Sequence, residues 1–200
     1  MDSDPRQRLI SSAVTLLSEE GVQAVTLRRI ARAAGVSHGA PLRHFTGRAE
    51  LLSAVATEGF AELRRCGDGL PEGDPRERLL AACRIYLTFA LDNPAMFELM
   101  FRHDLIDARE PDLAKGNDAI LALFTDLVAS AQTRGWRAGT DSRMLAASLW
   151  AALHGLAELW LWGGITETDV ETTLDVTLSA YLPGEGDRPR DQRGERQVDR

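Results

Sequence analysis

Residues 26–45, TLRRIARAAGVSHGAPLRHF, leave the backbone few choices. Leu27, Ile30, Ala31 and Ala34 recur at helical spacing on one face, while Arg28, Arg29 and Arg32 fall on the other. Gly35 follows directly, and glycine enters the left-handed backbone that ends many helices without steric cost. Thr26 is placed to cap the first helix and Ser37 the second, each offering its hydroxyl to the free amides of a first turn. Val36 can plug the corner, and Ala31 is small enough to let a second helix cross closely over the first. The stretch predicts two short helices at a sharp corner, a helix-turn-helix. In such a unit the second helix, here residues 37–44, is the one that enters a major groove.

Charge bears on that reading. The chain carries a formal charge of -7, which by itself argues against a polyanionic partner. Its distribution does not. Residues 1–48 hold seven arginines (6, 8, 28, 29, 32, 43 and 48) against Asp2, Asp4, Glu19 and Glu20, so the excess of acid lies entirely downstream. A basic end on an acidic body orients a molecule toward a polyanion and keeps the body off it.

Residues 6 to about 66 resemble the DNA-binding domain of the TetR family of bacterial transcriptional regulators. The resemblance is carried by Ala24, Thr26, Ile30, Ala31, Ala34, Gly35, Val36, Ser37, Gly39, Arg43, His44, Phe45, Arg48, Leu51 and Leu52. It implies that the Thr26 hydroxyl and nearby amides meet a DNA phosphate. Arg28 and Arg29 are candidates for the backbone, the alternative being a solvated face. Ser37, His38, Gly39, Leu42, Arg43 and His44 form the reading helix, with His38 and Gly39 in its first turn. Arg43 suits either guanine or phosphate. His44 is similar to the family's phosphate-contacting histidine, with a capping or core role as the alternative. Arg48 stands where the family usually has lysine, and the resemblance makes it a phosphate contact. Leu42 departs from the tyrosine of many relatives and cannot donate a hydrogen bond. Pro41 lies inside the reading helix, where it should remove only the first intrahelical bond if Ser37 is the cap.

The rest of the chain reads as helices. Asp4-Pro5 opens helix 1, whose buried stripe is Leu9, Ile10, Ala13, Val14, Leu16 and Leu17, and Gly21 stops it. A fourth helix from about Arg48 links head to body. Residues 67–73, GDGLPEG, read as a linker, and Asp74-Pro75 repeats the opening pattern of helix 1. Further helices are expected to about Leu91, over PAMFELMF, and over about 111–134, 141–162 and 167–182, the last capped by Thr166 with Asp169 at a capping-box position. The expectation is an all-α chain of about nine helices. A three-helix head and its connecting helix take residues 1–66, an effector-binding and dimerisation bundle takes 67–183, and the nearly apolar-free residues 184–200 form a disordered tail.

Trp150, His154 and Gly155, with PAMFELMF, resemble the WHG class of TetR C-terminal domains. The family implies a homodimer built on the last two helices. Ala147, Ala151 and Gly155 recur every four residues as a smooth strip for close packing, joined by Leu174 and Leu178; packing within one chain is the alternative. Tyr86, Met96, Phe97, Met100, Phe124, Trp150 and His154 are candidates to line a mostly apolar effector pocket, although such residues at helical spacing also build cores. The functional expectation is a DNA-binding transcriptional regulator, a repressor released from a palindromic operator by a small molecule.

Other classes fit less well. The four histidines are scattered and no HExxH, nucleophile elbow or phosphate-cradling glycine loop occurs, so no catalytic residue, metal or cofactor is expected. His103, Asp104 and Asp107 could hold a metal but read better as a solvated loop. Cys66 and Cys83 suit reduced thiols of a bacterial cytoplasmic protein. No apolar run is expected to span a membrane. A helical interaction module without DNA affinity is the other reading, and it predicts no salt-sensitive duplex binding.

Overall fold

The computed structural model describes residues 4–107 and 109–182. The tail expected over 184–200 lies outside the described residues. The helices are α1 (Pro5–Glu20), α2 (Leu27–Ala33), α3 (Arg48–Asp68), α4 (Pro75–Asp92), α5 (Pro94–Met100), α6 (Pro111–Gln132), α7 (Ser142–Leu161) and α8 (Glu167–Tyr181). Two 3-10 turns, Val22–Ala24 and Pro41–Arg43, complete the order, and no strand occurs among the described residues.

Helix starts follow local chemistry. Asp4 accepts from the Arg6 amide, Asp74 from Arg76 and Glu77, Glu110 from Asp112 and Leu113, and Asp141 from Met144. Each satisfies amides that have no intrahelical partner, and proline at the first position of α1, α4, α5 and α6 presets φ. Thr166 differs. Its hydroxyl donates to the Asp169 carboxylate at 2.6 Å and caps no amide, so the expected box is only half formed.

The ninth helix expected is absent, and it is the reading helix. Ser37 does not cap; its carbonyl accepts from Ala40 at 2.9 Å. From there the backbone makes turn bonds, Arg43 to Ala40 and His44 to Pro41, and only Pro41–Arg43 is helical, as 3-10. Pro41 brings no N–H, and Gly39 two residues earlier adds backbone entropy, so this segment lacks the means to close a regular α-helix.

One continuous apolar core runs from Leu9 to Leu182. In the head, Leu9, Ile10, Leu17, Ile30, Phe45, Leu51 and Leu52 pack together and are nearly inaccessible. In the body α6 is central, packing on α3, α4 and α7, and α8 lies along α7. The long helix α3 belongs to both parts: its start closes the head and its later turns lie on α5 and α6. By length and composition α7 could cross a membrane, with mean hydropathy 1.3 and a third of that window buried, contrary to the expectation that no run would. Leu145, Leu149, Leu153 and Leu156 bury one side of it inside this chain.

Candidate nucleic-acid interface

The corner after α2 closes as the sequence requires. Gly35 takes φ +66°, the Val36 amide donates back to Ala31 at 2.9 Å, and Gly35 donates to Arg32. These paired bonds satisfy the last carbonyls of α2 and turn the chain. Thr26 caps α2, its Oγ1 accepting from the Arg29 amide at 3.3 Å. The helix N-terminus with its free amides therefore faces outward beside exposed Arg28, a local geometry suited to a phosphate.

The structure brings Thr26, Arg28, Ser37, His38, Gly39, Leu42 and Arg43 onto the outer side of the head. Arg28, Arg43 and Arg32 are exposed, and Leu42 is 62% exposed. An apolar side chain so far into solvent at the tip of a basic corner is placed to meet another apolar group, such as a thymine methyl. His44 is half-buried at the end of the 3-10 turn.

Two arginines are engaged within the chain. Arg29 makes an ion pair with Glu20 at the end of α1, and that bond raises the guanidinium pKa and lowers that of the carboxyl. Arg48 turns inward. Its Nε donates to the Val25 carbonyl at 2.8 Å and its Nη2 to the Val22 carbonyl at 2.6 Å. It thus pins the loop before α2 to the start of α3. Residues 46–50 hold this junction from the other side, with the Glu50 carboxylate accepting from the Thr46 amide and hydroxyl, both at 2.7 Å. Those bonds, with the charge of nearby Arg6, hold the Glu50 carboxyl below its ordinary range. The Arg6 guanidinium also sits 5.2 Å from the centre of the Phe45 ring. Glu20, Glu50 and the inward Arg48 were not legible as a clamp, because each acts across the fold.

The body holds a cleft of about 510 Å³ between α3, α5, α6 and α7. Of the expected lining, Met100, Trp150 and His154 reach it. Tyr86, Phe97 and Phe124 are fully buried beneath, with Tyr86 edge-on to both rings at 5.6 and 6.1 Å. Met96 instead faces a different groove, beside α1. The sequence reading missed Phe60, Leu113, Ala114 and Asn117, which α3 and α6 bring to the cleft. No pattern along the chain marks them, because they come from the core stripes of two helices.

His154 is the polar centre of the cleft. Its Nδ1 lies 3.1 Å from the Tyr86 hydroxyl, and its Nε2 lies 3.9 Å from Glu158. The ring packs at 4.4 Å on Phe101. Burial lowers its pKa, and Glu158 opposes the shift only in part, so the ring is neutral at pH 7. That network favours a Tyr86 hydroxyl donating into Nδ1, with the ring proton on Nε2. Burial also raises the Tyr86 pKa; the Trp150 indole offsets part of this from nearby, yet its Nε1 is buried without a completed hydrogen bond.

The expected dimer strip divides. Ala147 and Ala151 are exposed on the rim of the cleft, and a side-chain carbon added at Gly155 would meet nothing within 4 Å. Leu174 and Leu178 are buried within their own chain at 6% and 3% exposure, so they do not present a surface to a partner. Met144 (68%), Leu159 and Trp162 (71%) extend the open side of α7, and Val176 stands out from α8. Elsewhere, Arg102 ties Asp104 to Glu98, Asp107 takes the Arg109 amide, and no group of His, Cys, Asp or Glu among the described residues is placed to hold a metal. Cys66 and Cys83 are free thiols, with burial pushing Cys83 up to about 12.

Comparison with known proteins agrees with this geometry. Residues 9–55 match the model for bacterial regulatory proteins of the tetR family, and residues 79–181 match the tetracyclin repressor-like C-terminal domain. The nucleoid occlusion factor SlmA of Glaesserella parasuis serovar 5 (strain SH0165) is 30% identical over 152 residues, 72% of this chain and 74% of that protein. The HTH-type transcriptional repressor KstR of Rhodococcus jostii (strain RHA1) is 26% identical over 191 residues, 92% and 84% of the two chains. Among solved structures, a protein of unknown function from Rhodococcus sp. RHA1 superposes with TM-score 0.73 at 29% identity, covering 90% of this chain and 96% of that one. The fatty acid degradation regulator FadR from Bacillus halodurans gives 0.72 at 17% identity, covering 92% and 98%, a likeness of fold alone.

Proposed function

The chain belongs to the TetR family of bacterial regulatory proteins and is a DNA-binding transcriptional regulator, and from that premise we propose that it is a homodimeric repressor released from a palindromic operator when a small molecule enters the cleft at His154. It acts in the bacterial cytoplasm and sits on the nucleoid when bound. Thr26, Arg28, Ser37, His38, Gly39, Leu42, Arg43 and His44 meet the DNA, while Arg29 and Arg48 hold the reading corner in place.

One observation carries the coupling. Phe60 lines the cleft and Arg48 clasps the head loop, and both lie on α3. Twelve residues of helix span about 18 Å. A ligand that displaces Phe60 therefore moves a rigid rod whose other end fixes the head. A ligand that binds the displaced state more tightly shifts the population toward it, and the two heads of a dimer no longer match their half-sites. The open side of α7, from Met144 through Ala147, Ala151 and Gly155 to Trp162, supports the dimer, since one short reading segment makes few base contacts. An effector with an apolar body and one acceptor oxygen fits the cleft, its oxygen taking the buried indole N–H of Trp150.

Selection of bound duplexes from a random pool tests the reading. The expected product is an inverted repeat whose half-sites lie about one helical turn, 34–36 Å, or a multiple apart. Recovery of a single unrepeated site, or of no preferred sequence, would overturn it.

A further inference from the structure

A second cavity, of about 550 Å³, lies between α1 of the head and the corner where α4 meets α5. It is as large as the effector cleft and within the range of small-molecule sites. Its apolar floor is Ile10, Val14, Leu17, Phe89 and Met96. Its rim carries Glu58, Glu62 and Asp92 against one cation, Arg65, which is paired with Glu62. Glu58 takes only a neutral hydrogen bond, from Gln7 Nε2 at 3.1 Å, and no described residue pairs with Asp92. On the far side of Ile10 and Glu58 a smaller hollow adds Glu50, Glu110 and Asp112 to the same region, with Arg6 as its cation. An apolar slot with uncompensated carboxylates at its mouth attracts a positive group and repels a negative one.

The short helix α5 separates this groove from the effector cleft. Met96 faces the groove and Met100 the cleft, and both sulfurs rest on Gly59 of α3. A side-chain carbon at residue 59 would fall 2.7 and 2.8 Å from them, so the glycine is what lets α5 lie flat on α3. Thioether side chains repack readily. Anything that fills the groove therefore presses on α1 and α5 together.

We propose that the groove is a second ligand site, specific for a cationic amphiphile. Its ammonium or guanidinium group lies between Glu58 and Asp92, and its apolar chain covers Ile10, Val14 and Met96. Because the occupant bridges head and body, it fixes the angle between them independently of the effector cleft.

The test uses the full chain and dodecyltrimethylammonium below its micelle concentration, followed by calorimetry, with dodecanoate as the anionic counterpart of equal chain length. The site predicts saturable binding of one molecule per chain, at least about tenfold tighter than dodecanoate. Asp92→Asn with Glu58→Gln lowers the affinity about fivefold or more, as loss of an exposed ion pair of about 1 kcal/mol would. Ala95→Trp fills the groove and abolishes binding, while Ala151→Trp in the other cleft leaves it intact, each variant being checked for helix content. Absence of saturable binding, equal affinity for dodecanoate, an unaltered affinity in the carboxylate double variant, or loss of binding in Ala151→Trp would each overturn the assignment.

Discussion

Replacing Arg48 by alanine separates two roles that the same residue could play. The guanidinium donates to Val25 at 2.8 Å and to Val22 at 2.6 Å in a part-buried position. Hydrogen bonds from charged donors contribute about 1.5–3 kcal/mol each, and both carbonyls regain some water once the side chain is gone. The expected loss is therefore about 2–4 kcal/mol. For a chain of this size each kcal/mol lowers Tm by about 2–4 °C, so the drop should be about 6–12 °C at one fixed protein concentration. Arg48→Lys should recover only part of it, because an ammonium lacks the fork that reaches two carbonyls at once. Operator titrations at a temperature where all variants are folded supply the second readout. A structural clamp leaves the slope of log affinity against log salt unchanged. A lost phosphate contact reduces that slope by about 0.9. An Arg48→Ala protein with wild-type Tm and a slope smaller by about one contact would refute the clamp and restore the role the family resemblance implies.

The remaining expectations are shorter. Arg43→Ala should weaken operator binding by about 1–3 kcal/mol, five- to a hundredfold in a fluorescence titration, with relaxed preference if it meets a base; unchanged affinity would remove it from the interface. Gly155→Glu should improve α7 as a helix by roughly 0.5–1 kcal/mol yet yield monomers in sedimentation, because the residue faces open space within one chain; a persistent dimer would place the interface elsewhere. His154 titrates below its ordinary 6.5 in the folded protein, so the unfolded chain takes up a proton that the folded ring resists. Stability to urea should therefore fall as pH drops below about 6.5, and His154→Gln should flatten that decline.

What could be read along the chain was local. The caps at Asp4, Thr26, Asp74 and Asp141 depend on neighbours two or three residues away, and Gly35 ends α2 because its own backbone freedom suffices. The reading segment failed as a helix for an equally local reason that was underweighted: Gly39 and Pro41 fall within five residues of Ser37. Other misses needed the third dimension. Whether Arg48 points to phosphate or to Val22 depends on how α3 crosses the head. Leu174 and Leu178 looked like interface because α8 is amphipathic, but the apolar side of α8 turns to its own α7. Ala147 and Ala151 serve the rim of a cleft as well as an open face, a double use that spacing does not reveal. The Ser53 hydroxyl, buried on α3 and accepting from the Asp107 amide at 3.0 Å, ties the loop over the cleft to the same helix, and no motif announces it.

The central claim is that the outward arginines of the head seat on duplex phosphates while the acidic body stands clear. Its most direct test is the salt dependence of duplex affinity for the purified full chain. A dimer placing three or four phosphate contacts from each head should give a slope of log affinity against log salt of about -5 to -7. A flat dependence, or no measurable affinity for any duplex at low ionic strength, would contradict the account.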